Sequence, residues 1–182
     1  MTTVADSQIE RRAFCEVRTQ GRRLEGYAAV FNSDARLGSF VETIAPGAFR
    51  SALAGDVLAL MDHDPAKVLG RTRSGTLRLS EDTRGLAFSL DVPDTQAGRD
   101  VLALAERSDL GGCSFGFTVP KGGETWSGER RTLTQVGLRE ISVVSAWPAY
   151  PDTEIALRAL QHGCEARRRQ RVLIMAELAA WG

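Results

Sequence analysis

Between Arg12 and Val144 the apolar residues come in short runs or alternate with polar ones, and Gly, Pro, Asn and Asp interrupt them every few positions. This period-2 pattern with frequent breaks predicts antiparallel β structure. The stretches AFCEVRT, LEGYAAVF, SFVETI, VLALMDH, TLRLS, LAFSLDV, CSFGFTV, RTLTQV and REISVVSA read as its strands. Strands in such number are expected to close into a barrel or pack as a sandwich, because open edges invite pairing with other chains.

Two segments inside this region break the alternation. Residues 46–54 (PGAFRSALA) read as a short helix with proline in its first turn. Residues 94–108 (DTQAGRDVLALAERS) read as a longer helix, with Asp94 or Thr95 as N-cap and Val101, Leu102 and Ala105 on one face. It ends before DLGG, whose glycines are expected to take the left-handed conformations of a helix stop. Beyond WPAYPDT the chain turns rich in Ala, Leu, Arg and Glu and reads as a helical extension interrupted near Gly163. The expected organisation is a flexible N-terminus over 1–11, a β domain over 12–152 and a helical extension over 153–182.

Composition narrows the function classes only slightly. The 182 residues suit one domain, and 23 basic against 23 acidic side chains make no electrostatic case for nucleic acid or an anionic membrane. Cys15, Cys113 and Cys164 are too few and too far apart for a disulfide framework or a zinc site. No apolar run reaches the ~20 residues that span a bilayer, and the first residues do not read as a secretory signal. The expectation is a soluble, cytoplasmic protein. The arginines of GRTRSGTLRLS and the RRRQR cluster read as solvated faces.

The candidate chemistry centres on DLGGCSFGFTVP, residues 109–120. Strand alternation places Ser114, Gly116 and Thr118 on one face and Cys113, Phe115, Phe117 and Val119 on the other. If the phenylalanines face the core, Cys113 is buried with a raised pKa and Ser114 faces a groove, which favours serine over cysteine as nucleophile. A serine among glycines is, however, more often a turn or packing residue. The GxSxG spacing around Ser114 is not a nucleophile elbow either, because a helix precedes it and a strand follows.

An alcohol needs a base to attack a carbonyl. Of the two histidines, His63 ends a predicted strand and is the better candidate, whereas His162 lies in the helical extension. A third group must orient the imidazole. Asp62 and Asp64 should point away from the face of His63, while Glu140 is an odd charge in the apolar run LREISVV. Glu42 is a weaker rival, and an outward-facing position on a half-exposed strand is the alternative account of Glu140.

Taken in order, VETIAPGAF, LALMDHDPAKVLGRT, SGTLRLSEDTRGLAFSLDVPDT, GGCSFGF and LREISVVSAWPAYPDT resemble the HK97-type prohead (capsid maturation) proteases of tailed phages, distant relatives of herpesvirus assemblin, from about Gly26 to about Thr153. The resemblance implies a mainly β fold: a closed or nearly closed antiparallel barrel with peripheral helices. It implies a serine endopeptidase with His63 and Ser114 as the catalytic pair. Glu140 is carried over as the orienting group, where assemblin-like enzymes have a second histidine. No metal or cofactor is implied. The implied partners are the major capsid protein with its scaffolding segment, and the chain itself through self-cleavage or a homodimer. No membrane and no specific nucleic acid is expected. The implied place of action is the host cytoplasm, inside the immature capsid. The competing non-enzymatic reading is an assembly or scaffolding protein that keeps the protease fold.

Overall fold

The computed structural model describes residues 9–14 and 17–145. Thirteen strands occupy most of them: β1 (Glu10–Phe14), β2 (Val17–Gln20), β3 (Arg23–Val30), β4 (Ala35–Leu37), β5 (Phe40–Ile44), β6 (Leu58–Met61), β7 (Asp64–Arg71), β8 (Leu77–Glu81), β9 (Gly85–Asp91), β10 (Gly112–Thr118), β11 (Glu124–Ser127), β12 (Arg130–Leu133) and β13 (Gly137–Val144). Each stretch that alternation marked as a strand carries one, and AFCEVRT holds the end of β1 and the start of β2. The strands β4, β7 and β11 were not expected. In β7, Pro65 argues against a strand, but β7 lies at a sheet edge, where a missing N–H is tolerated.

The expected closed antiparallel barrel is not what forms. The strands divide into three sheets, in the orders β1-β10-β13-β6-β7, β2-β3-β9-β8 and β11-β12-β5-β4. In the first sheet β1 and β7 are opposite edges, and the chain leaves both for the second sheet, into β2 and β8, instead of closing the ring. Two pairings are parallel, β13 with β6 and β12 with β5. Other expectations also change. Residues 46–54 form successive turns and a short 3-10 helix at Ala52–Ala54, not an α-helix. Glu10 and Arg11, expected in a flexible N-terminus, already belong to β1. The boundary near residue 152 and the helical extension over 153–182 lie outside the described residues.

The core collects side chains from all three sheets, including Leu24, Leu86 and Leu90, Phe115, Phe117, Ile141 and Val143, and Leu133. A chain of rings runs through it: Phe31 to Phe49 at 6.2 Å, Phe49 to Phe115 at 5.5 Å and Phe115 to Phe117 at 5.1 Å between centroids. The helix α1 (Gln96–Glu106) lies where it was expected. The Thr95 hydroxyl caps it by accepting from the Gly98 N–H at 3.2 Å, and Val101 and Leu102 bury its apolar face. Its left-handed stop is Ser108, with φ 63°, rather than the following glycines.

An ion-pair network ties β1 to the third sheet. Arg131 Nη1 meets Glu10 at 2.6 Å and Glu42 at 2.9 Å, its Nε meets Glu124 at 2.5 Å, and Arg12 Nε meets Glu42 at 2.6 Å. Glu42 and Arg131 are buried. The hydrogen bond from Arg131 holds the Glu10 carboxyl below its ordinary pKa, and Glu10 in turn raises that of Arg131.

Candidate active site

In the first sheet β10 lies between the edge strand β1 and the central strand β13, with Ser114 opposite Ala13 on one side and Ser142 on the other. Alternation holds along it: Cys113, Phe115 and Phe117 enter the core, leaving Ser114 and Gly116 on the opposite face. The expected open groove at Ser114 is not found, since the residue is only 2% exposed. A small side chain on a strand paired on both sides, with neighbours in register, offers little surface to solvent. Among the described residues, Ser114 Oγ makes no hydrogen bond to His63.

His63 does not end a strand, as expected, but sits in the two-residue turn between β6 and β7, closed by the pairing of Met61 with Asp64. Asp62 and His63 both take left-handed backbone, with φ 52° and 59°, the arrangement that a tight hairpin with the right-handed strand twist requires. Asp and His are among the side chains that tolerate this region. The turn leaves the His63 side chain 23% exposed.

Glu140 lies on β13, opposite Gly116 of β10 and Leu58 of β6. Its side chain is 11% exposed, and Oε1 is 2.7 Å from His63 Nδ1. Because a carboxylate oxygen accepts, this bond places the ring proton on Nδ1 and leaves Nε2 as the nitrogen for proton transfer. The other oxygen accepts from the buried hydroxyl of Ser142 at 2.5 Å. Arg11 Nε approaches Oε1 at 3.9 Å from the edge strand. Gly116 makes room for the carboxylate: a Cβ there would stand 2.5 Å from Glu140 Oε1.

The structure therefore brings His63 and Glu140 together directly, and sets Ser114 on the same pair of strands as Glu140, in register with the serine that holds it. Glu42 is no rival for the imidazole, being held by Arg12 and Arg131. Asp64 Oδ1 accepts from the Ala66 N–H at 2.9 Å, and Asp62 accepts from Ser145. Cys113 is fully buried, and burial first, with the nearby charge of Glu140, pushes its thiol pKa far up. Sequence reasoning missed Ser142, although its place two residues after Glu140 puts it on the same strand face. It also missed the spatial roles of Gly116 and Asp62, which depend on pairing between distant strands.

Among the described residues, no group of His, Cys, Asp and Glu is placed to hold a metal ion, and no helix is long and apolar enough to cross a membrane. No curated protein and no solved structure matches the chain. The family described as caudovirus prohead serine protease matches residues 7–166, a span that contains every strand among the described residues, the hydrogen-bonded His63–Glu140 pair and Ser114. On that match the chain belongs to the prohead serine protease family of tailed phages.

Proposed function

We propose that this protein is a serine endopeptidase that removes the scaffolding part of the major capsid protein during procapsid maturation. The observation that carries the reading is the 2.7 Å bond between His63 Nδ1 and the poorly exposed Glu140 carboxylate, in a family of serine proteases. An imidazole held at Nδ1 by a carboxylate is the arrangement that orients Nε2 as a base and stabilises its cation. In this reading Ser114 Oγ attacks the scissile carbonyl while its proton passes to His63 Nε2. Collapse of the tetrahedral intermediate breaks the C–N bond, and His63 delivers that proton to the leaving amine. Water, deprotonated by His63, then attacks the acyl carbon, and collapse of that second intermediate breaks the C–Oγ bond as His63 returns the proton to Ser114 Oγ. Proton transfer requires Nε2 within about 3 Å of Oγ, a contact that commonly tightens only when substrate is bound. Self-cleavage and a homodimer are finer parts of the same proposal, and the site of action is the inside of the immature capsid.

A second reading, a non-catalytic assembly protein that keeps the fold, is favoured by the burial of Ser114 and by the missing bond from its hydroxyl to His63. Co-expression with the major capsid protein, followed by mass spectrometry of both chains, separates the two. The protease reading expects a shortened capsid protein with the wild type, and an intact one with folded Ser114→Ala and His63→Ala variants. Unchanged cleavage in Ser114→Ala would remove the proposed nucleophile. An intact capsid protein with the wild-type chain favours the assembly reading.

A further inference from the structure

The turn that carries His63 is pinned to β13 by a residue outside the triad. Asp62 Oδ1 accepts from the Ser145 N–H at 2.7 Å and from the Ser145 hydroxyl at 2.8 Å, and Oδ2 lies 2.7 Å from the same hydroxyl. The Asp62 N–H also donates to the Val143 carbonyl at 3.0 Å. Ser145 follows β13 directly, and β13 carries Glu140 and Ser142. The clamp therefore joins the backbone beside His63 to the strand that presents its carboxylate.

Its need follows from the turn. A two-residue hairpin with both central φ angles positive ordinarily takes Gly at one or both positions. Here neither residue is Gly, and the second is an imidazole at φ 59°. A side chain held in that region persists only where surrounding contacts over-determine it. Pairing of Met61 with Val143 and Asp64 fixes the start of the turn, and the carboxylate of Asp62 adds the bonds that fix its direction.

We propose that Asp62 is a positioning residue: through Ser145 it locks the turn so that the His63 ring stays on Glu140 and presents Nε2 to the nucleophile. This rests on the protease reading above. The test uses the full chain and an alkyl fluorophosphonate probe, whose capture forms the Ser114 Oγ–P bond, expels fluoride and passes the hydroxyl proton to His63. Asp62→Ala removes clamp and turn preference together. Asp62→Gly keeps the left-handed turn without strain and removes the clamp alone. Asp62→Asn keeps both the turn preference and one accepting oxygen.

Since misplacing a reacting group by about 1 Å costs up to about a hundredfold, the maximal labelling rate of Asp62→Gly and Asp62→Ala should fall at least about tenfold, with probe affinity within about twofold. Asp62→Asn should restore most of that loss. In a His162→Gln background, where His63 is the sole histidine, the Nδ1–H resonance should shift and broaden in the Gly and Ala variants and return with Asn. Exchange of the Ser145 amide should quicken in parallel.

Wild-type labelling rates and an unmoved Nδ1–H signal in folded Asp62→Gly would overturn the proposal, even if its thermal stability fell. The parent reading fails by a different result, cleavage surviving in Ser114→Ala. The ring signal and the Ser145 exchange do not depend on that outcome, so they judge the clamp by themselves.

Discussion

Gly116→Ala separates the fold from the candidate site with a single methyl group. The added Cβ would lie 2.5 Å from Glu140 Oε1 and 3.2 Å from both Cδ and Cγ of the same side chain. Ordinary contact begins at 3.4 Å, so the carboxylate must retreat by about 0.9 Å (3.4 − 2.5). A retreat of that size directed away from the ring would stretch the 2.7 Å bond to His63 Nδ1 to about 3.6 Å, at which no hydrogen bond remains. A hydrogen bond to a charged group contributes about 1.5–3 kcal/mol, which corresponds to a ~10- to 150-fold loss in rate if its whole effect falls on the transition state.

Stability should move much less. Alanine in a strand interior gains about 0.5–1 kcal/mol over glycine, while a loosened bond to the buried Ser142 hydroxyl costs about 1–3 kcal/mol. The net expectation is a destabilisation on the order of 1 kcal/mol, with a folded protein at room temperature. Thermal unfolding and timed cleavage of co-purified capsid protein measure the two effects separately. Wild-type cleavage by folded Gly116→Ala in which the His63 Nδ1–H resonance has shifted or vanished would refute the assignment of Glu140 as the orienting group, and an unmoved resonance would refute the displacement itself.

Other consequences are open to test. Cys113→Ser should keep cleavage, and the wild-type thiol should resist alkylation until the protein unfolds, because burial keeps it protonated. Rapid native alkylation with loss of cleavage would instead favour a cysteine nucleophile. Ser142→Ala removes the second support of Glu140. It should lower the cleavage rate severalfold and stability by about 1 kcal/mol, read from the rate of capsid-protein processing and from urea unfolding. Arg131→Ala takes the arginine from Glu124 and leaves Glu10 and Glu42 to Arg12 alone, and should cost about 1–3 kcal/mol in urea unfolding. Since the folded state depresses the pKa of Glu10 from its ordinary 4.5, its stabilising contribution is complete above that pH and is lost as pH falls through the folded value. The wild type should therefore lose stability more steeply below about pH 4.5 than Glu10→Gln, as read from unfolding midpoints across an acid pH series.

Much of this protein was legible along the chain. Alternation alone located β3, β9, β10 and β13, sent Cys113, Phe115 and Phe117 inward and left Ser114 on the other face, because side-chain direction in a strand depends only on the parity of position. The cap and apolar face of α1 were equally local. A charge at Glu140 within an apolar run signalled a partner, and the His63 imidazole was the one expected. The geometry that joins them was decided by the tertiary structure. The parallel pairing of β13 with β6 is what carries the Asp62–His63 turn to the end of β13, and a register between strands some 80 residues apart leaves no trace in either one. For the same reason the division into three sheets, the space that Gly116 leaves for the carboxylate and the burial of Ser114 belong to the fold as a whole. Faces are set by neighbours in sequence. Which faces meet is set by hydrogen bonding and packing between segments that sequence order keeps apart.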